Sequence, residues 1–291
     1  MSSHVFGPVP SRRLGRSLGI DLVPFKTCSY DCIYCQLGPT TCCTVDRQTF
    51  VPLDVILQEL EQKLDTQPDY ITLSGSGEPT LFRPIDRLIA GIRTLTAVPV
   101  AVLTNGSLLH DERVQAELAA ADLIIPSLDA GDEVTFQQVN RPHASLDFQS
   151  MLEGLVAFRR HFPGPLWLEV FLLDGVSTTP QSLTNIRRCV DLVRPDRVQL
   201  NTVARPPAEE TARGVPRDRL EEIAALFSPP AEVVAEFHSA AAQQASAAGR
   251  EEVLQLLRRR PCAVDDLVGG LRMHRHEVLK CLEHLQADGL I

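Results

Sequence analysis

Apolar residues recur along the chain in two alternating rhythms. Short apolar runs fall at 18–23, 70–73, 98–103, 123–128, 166–172 and 198–200. Between and after them lie segments with apolar residues three and four apart, at 53–64, 84–95, 111–120, 148–162, 183–193 and 219–227. The first rhythm predicts buried strands and the second amphipathic helices. Such alternation predicts an α/β fold with a parallel sheet, here a partial (β/α)6 TIM-like barrel. In such folds functional groups gather at the C-terminal ends of the strands. The polar punctuation falls there. Cys28 to Cys35 follows the first strand and Ser74-Gly75-Ser76-Gly77-Glu78-Pro79 the second. Thr104-Asn105-Gly106 follows the third, Ser127-Leu128-Asp129 closes the fourth, and Asn201-Thr202 follows the sixth.

The rhythm changes after residue 228. Pro229-Pro230 and a stretch crowded with Ala, Ser and Gln predict a linker over 229–249, after a core domain over 1–228. Residues 250–291 read as a small C-terminal helical domain. One helix carries Val253, Leu254, Leu256 and Leu257, a short one covers 264–268, Gly269-Gly270 makes a turn, and a third covers 274–286. The order resembles a winged helix cut off at its wing.

Composition narrows the function classes. The 291 residues are 44% hydrophobic, enough for a sizeable core, and the net charge is −9. A basic field that draws in nucleic acid is absent overall. The tail is neutral, with seven basic and seven acidic residues, although Arg272, His274, Arg275, His276 and Lys280 cluster at its third helix. Weak nucleic-acid contact and docking of a partner both fit that pattern. No run approaches a membrane span and residues 1–13 do not read as a signal peptide, so the cytoplasm is the expected compartment. Eight cysteines are then expected as metal ligands, catalytic groups or core residues rather than disulfides.

Three of them form Cys28-x3-Cys32-x2-Cys35. Thiolates this close in one loop suit an iron–sulfur cluster. A zinc ion with Cys42 or Cys43 as fourth ligand, or a redox pair of Cys32 and Cys35, remains open on spacing alone. Cys189 and Cys281 fall on apolar helix faces and read as core, and Cys262 has no partner by spacing. Arg12, Arg13, Arg16, Lys26, Arg141 and Arg205 are candidate contacts to an anionic substrate, against a plainer role as solvated loop residues. Lys26 also stands where it can act electrostatically on the cysteines.

Together these motifs resemble the radical S-adenosylmethionine enzymes. The loop has the family's spacing, including the aromatic Tyr34 before the last cysteine. Ser76, Gly77, Glu78 and Pro79 resemble its glycine-rich methionine-binding motif. Thr104, Asn105, Ser127, Asp129 and Asn201 resemble strand ends that line the cofactor pocket. The resemblance implies a [4Fe-4S] cluster on Cys28, Cys32 and Cys35, with one iron left for S-adenosylmethionine. It implies reductive cleavage of that cofactor to a 5′-deoxyadenosyl radical, which abstracts hydrogen from a substrate. It implies an external electron donor, a ferredoxin or flavodoxin. The opening residues 6–19 resemble a bacterial and archaeal group related to the wybutosine-synthesis enzymes, which build a tricyclic base on tRNA. tRNA modification is therefore one expectation. The chain departs from those enzymes in having no cysteine before Cys28, where they hold a second cluster, so their pyruvate-condensing reaction is not implied. A peptide or small metabolite as substrate, and an iron–sulfur or zinc sensor with a DNA-reading tail, are the alternatives.

Overall fold

The computed structural model describes residues 3–11, 13–204, 207–234, 250–259, 261–271, 273 and 275–291. Arg12, Arg205, Arg272 and His274 lie outside the described residues, as do the side chains of His276 and Lys280.

Eight strands form one curved wall. In chain order they are β1 (Val5–Ser11), β2 (Gly15–Ile20), β5 (Tyr70–Leu73), β6 (Val100–Thr104), β7 (Leu123–Pro126), β8 (Trp167–Leu172), β9 (Arg197–Thr202) and β10 (Glu232–Val233). A short pair, β3 (Thr27–Cys28) and β4 (Cys42–Cys43), stands apart in the cysteine loop. The hydrogen-bonded order is β1-β2-β5-β6-β7 in one sheet and β8-β9-β10 in another. Parallel bridges Ile124 to Leu166 and Ser127 to Glu169 join β7 to β8. Strands β2, β5, β6, β7, β8 and β9 are parallel neighbours. They make the partial barrel that the alternation predicts. Parallel strands of this kind are buried on both faces, which is why β5 to β7 read as nearly unbroken apolar runs.

The helices follow in the expected places. They are α1 (Leu53–Glu61), α2 (Ile85–Leu95), α3 (Glu112–Leu118), α4 (Glu133–Val139), α5 (Phe148–His161), α6 (Pro180–Val193) and α7 (Arg217–Ala224). On α2, Ile85, Leu88, Ile89 and Ile92 form one buried stripe against the sheet. Among the described residues, four of these helices start on side-chain caps. Asp111, Asp132, Asp147 and Thr179 accept from the backbone N–H of Arg113, Thr135, Ser150 and Ser182. Each satisfies an amide that a helix start leaves without a partner. Leu14, Ala101, Leu123 and Ile125, with Tyr70, Leu103 and Trp167, form a separate apolar cluster.

Three features differ from the sequence expectation. Strand β1 runs antiparallel to β2 at the sheet edge although it carries Pro8 and Pro10. An edge strand tolerates the missing N–H groups. Helix α4 was not predicted, since its seven residues bury only Thr135, Phe136 and Val139. In the tail, α8 (Arg250–Arg259), α9 (Val264–Leu271) and α10 (Arg275–Ala287) follow one another, and α9 runs straight through Gly269-Gly270, where a turn was expected. Burial of Leu267, Val268 and Leu271 overrides the low helix propensity of glycine there. These helices share one apolar cluster with Val9 and Phe6 of β1, so the tail packs on the barrel edge.

Phe136 links the core to the cysteine loop. Its ring is 1% exposed, meets Tyr30 edge-on at 5.3 Å and lies 5.9 Å from Phe148. Phe136→Ala is expected to cost about 3–5 kcal/mol in urea unfolding, the usual range for deleting a buried aromatic side chain. A cost under about 1 kcal/mol would show that the loop is anchored elsewhere.

Candidate active site

The cysteine loop and the glycine-rich turn after β5 are locked backbone to backbone. Lys26 N–H donates to the Ser76 carbonyl at 2.6 Å, and Glu78 N–H donates to the Thr27 carbonyl at 3.1 Å. Any Cβ on Gly77 would run into that Thr27 carbonyl oxygen. Glycine is required here so that two stretches of the protein can touch. The 3-10 turn Pro79–Leu81 follows, capped by Glu78, whose Oε1 accepts from Thr80 N–H at 3.0 Å and Thr80 Oγ1 at 2.6 Å. The same oxygen accepts from Thr104 Oγ1 at 2.6 Å, and Oε2 from Asn105 N–H at 2.7 Å. Glu78 thus ties the end of β6 to the turn after β5. Burial raises its pKa, and these hydrogen bonds oppose the rise.

Two amides reach the cysteines. Asn105 Nδ2 lies 3.6 Å from Cys28 Sγ and Asn140 Nδ2 lies 3.5 Å from Cys32 Sγ. Burial, with the Glu78 carboxylate nearby, pushes Cys28 up to about 12. Burial and then Asp129 hold Cys32 well above the usual thiol range. Burial also raises Cys35, while the Leu37 amide and the Lys26 ammonium pull it down. A metal bound by these thiols would displace their protons. Among the described residues no three His, Cys, Asp or Glu groups converge tightly enough to enclose a single metal ion. Cys28, Cys32 and Cys35 nevertheless line one cavity. Three thiols gathered on one cavity wall are the donor set that an iron–sulfur cluster takes.

That cavity measures about 450 Å3 and is walled by most of the residues singled out from the sequence. Arg13, Lys26, Tyr34, Ser76, Gly77, Glu78, Thr104, Asn105, Ser127 and Asn201 all face it. Tyr34 stacks on Phe171, ring centroids 3.9 Å apart, and its hydroxyl donates to Asp129 at 2.5 Å. Asp129 does not line the cavity. It is 4% exposed, and it accepts also from Asn140 Nδ2 at 2.8 Å and Phe171 N–H at 3.2 Å. It acts as a clamp behind the cysteine loop. Arg16 does not line the cavity, and its backbone N–H donates to Asp69 at 2.7 Å. Arg141 stands outside it too, paired with Glu209 at 2.5 Å. Cys42 and Cys43 are exposed beside the loop, and Cys189 is buried.

Sequence reasoning missed Asp21, Glu169 and Phe171. On β8, Trp167, Glu169 and Phe171 alternate with buried Leu168, Val170 and Leu172. That period of two is the signal that was available: a carboxylate on the inward face of an otherwise apolar strand. Glu169 pairs with Arg13 and accepts from Asn201 Nδ2 at 2.7 Å. Ser17 and Thr72 add a hydroxyl pair at 2.8 Å on the same inner wall.

The radical SAM superfamily profile matches residues 22–179. A UPF0026 protein of Methanocaldococcus jannaschii is 36% identical over 77% of this chain and 70% of its own length. A protein of Brachyspira hyodysenteriae named GTPase Obg is 38% identical over the whole chain, which spans only 43% of that longer protein. Among solved structures, TYW1 with a lysine–pyruvate adduct superposes with a TM-score of 0.56 at 15% identity, over 78% of this chain and 76% of that one. At that identity the likeness is one of fold.

Two outcomes are expected. Gly77→Ala forces the turn away from Thr27, so iron retained after anaerobic reconstitution should fall sharply while far-ultraviolet circular dichroism stays native. Wild-type iron content in this variant would show that the lock is dispensable. Asp129 supplies a pH signature in the metal-free protein. Burial raises it to about 6. Between about pH 4 and pH 6 the folded state therefore keeps a proton that the unfolded chain has released, and stability falls as pH rises. The contribution is full below that window and lost above it, at about 1.36 kcal/mol per unit or about 3 kcal/mol in all. Unfolding titrations of Asp129→Asn across the window should lack this slope, and a slope equal to wild type would remove Asp129 as its source.

Proposed function

The chain belongs to the radical SAM superfamily of enzymes, and from that premise we propose that Cys28, Cys32 and Cys35 ligate three irons of a [4Fe-4S] cluster beside an S-adenosylmethionine site. The observation that carries this reading is the common cavity. The three thiols, the Ser76-Gly77-Glu78 turn, Thr104, Asn105, Ser127 and Asn201 share its wall. When bound, these groups supply one-electron cleavage of a sulfonium carbon–sulfur bond and abstraction of a substrate hydrogen. An external ferredoxin or flavodoxin is the electron source in this proposal, and the cytoplasm is the compartment.

The chain's own residues prepare that chemistry. Asn105 and Asn140 direct amide donors at two ligating sulfurs, and hydrogen bonds of this kind set cluster potential. Lys26 favours the thiolate at Cys35. The Tyr34–Phe171 stack holds the loop's last turn rigid against β8. On the inner wall, Ser17, Thr72, Glu169 and Asn201 offer donors and acceptors to a polar reacting group. Modification of a tRNA base is the substrate reading, supported by the resemblance of residues 6–19 and by this polar lining. A peptide or small metabolite is the competing substrate class.

Anaerobic reconstitution followed by reduction with S-adenosylmethionine should yield 5′-deoxyadenosine. Cys32→Ala should retain no cluster absorbance and form none. A spectroscopically confirmed cluster that produces no 5′-deoxyadenosine would overturn the enzyme assignment. Binding to tRNA that weakens steeply with salt separates the nucleic-acid substrate from the others. Binding that ignores salt counts against it.

A further inference from the structure

Arg259, near the end of α8, reaches the wall of the cavity. Its guanidinium pairs with Asp21 Oδ2, lies 4.0 Å from the centroid of the Phe6 ring and donates to the Ser3 carbonyl at 2.6 Å. The two charged side chains are 20% and 12% exposed. Asp21 uses its other oxygen on the glycine-rich turn. Oδ1 accepts from Ser76 N–H at 2.9 Å and Ser76 Oγ at 3.0 Å. Gly75, at φ +113, passes so close that a Cβ would strike Asp21 Oδ1. The chain of contacts therefore runs from tail helix to carboxylate to turn, with one oxygen for each neighbour.

From this we infer that Arg259 is a positioning residue for the S-adenosylmethionine site: through Asp21 it fixes Ser76 and the turn, making the C-terminal helices a working part of the catalytic cavity. The inference rests on the cofactor assignment above and deepens it. Three observations favour it over a purely structural contact. The pair sits on the cavity wall, together with Leu256 and Asp266 of the tail. Val9 seats the tail through apolar contact, within a cluster that includes Leu267, Val268 and Leu271. Finally, a carboxylate flush against Gly75 and Ser76 transmits any shift directly to the turn. The pair is only 20% and 12% exposed, so little water competes with it. Charge-assisted bonds in such surroundings have well-defined geometry.

The test uses the full-length chain with its cluster reconstituted. Equilibrium dialysis gives the dissociation constant for S-adenosylmethionine, and initial rates of 5′-deoxyadenosine formation give kcat and KM. Arg259→Ala should raise the dissociation constant and KM about tenfold, the scale of losing a supporting residue, with kcat nearly unchanged. Arg259→Lys should recover most of the loss, because the charge returns even though the fork does not. Asp21→Asn should weaken binding as Arg259→Ala does, and the double variant should be no worse than either single one. Arg258→Ala, on the exposed face of α8, should bind as wild type. Thermal melting shows which variants remain folded, and Arg259→Lys keeps the test decisive should Arg259→Ala unfold. Wild-type affinity in folded Arg259→Ala, or strictly additive losses, would sink the inference alone. Failure of the wild-type protein to bind S-adenosylmethionine would instead sink the cofactor assignment beneath it.

Discussion

The structure depends on two backbone hydrogen bonds that join the cysteine loop to the turn after β5. The Lys26 and Glu78 amides each donate across the gap. Thr27 and Gly77 form a parallel bridge there, as though the sheet extended one residue past its strands. A loop of thiols is otherwise free to fold in many ways, and fixing each residue costs roughly 1–2 kcal/mol of backbone entropy. The lock meets that cost by borrowing the rigidity of β2 and β5, which pair in register from Ser17–Tyr70 to Ile20–Leu73. Everything at the site is then referenced to the sheet. Thr104 and Asn105 reach the same frame through Glu78, and Asn140 reaches it through Cys32 and Asp129.

Electrostatics explains why the supporting groups are carboxylates and amides. Glu78 and Asp129 are both nearly sealed from water. A buried carboxylate without partners is costly, and each of these spends its oxygens on at least three donors. Their negative charge also opposes ionisation of the neighbouring thiols. The amides of Asn105 and Asn140 act in the other direction, since each offers an N–H to sulfur and favours negative charge on it. The site balances fixed carboxylates, which shape the loops, against neutral donors, which suit it to anionic sulfur bound to a cation.

The legible parts of the sequence were those whose meaning is local. Strands β5 to β8 are short apolar runs, and helices α2, α5 and α6 carry clean three-and-four spacing, so both the barrel and its strand-end motifs could be placed. The proline-bearing β1 was missed because only its edge position makes those prolines harmless. Gly269-Gly270 was misread because the contact of Leu267 and Leu271 with the β1 cluster, rather than propensity, keeps α9 helical. At the site, Cys28, Glu78 and Asn105 were visible as punctuation. Asp129 was seen as a cofactor contact, yet its oxygens face Tyr34, Asn140 and Phe171. Asp21 and Arg259 could not be paired from sequence, because only the fold brings residues so far apart in the chain together.

The incomplete barrel explains why such a distant pair exists at all. Six parallel strands do not close on themselves, so both edges of the wall present unpaired backbone groups, a liability in any sheet. The chain answers at one edge with antiparallel β1 and at the other with the short β10. Helices α8 and α9 then lie on β1, and Val234 just past β10 lines the same cavity as Leu256 and Arg259. Val253, Leu267 and Val268 pack with Val9 of β1 through apolar contact. A half-buried arginine adds little to that contact and costs desolvation unless it is paired. Its placement against Asp21 is better explained by what Asp21 holds, the turn at Ser76, than by the edge it helps to cover.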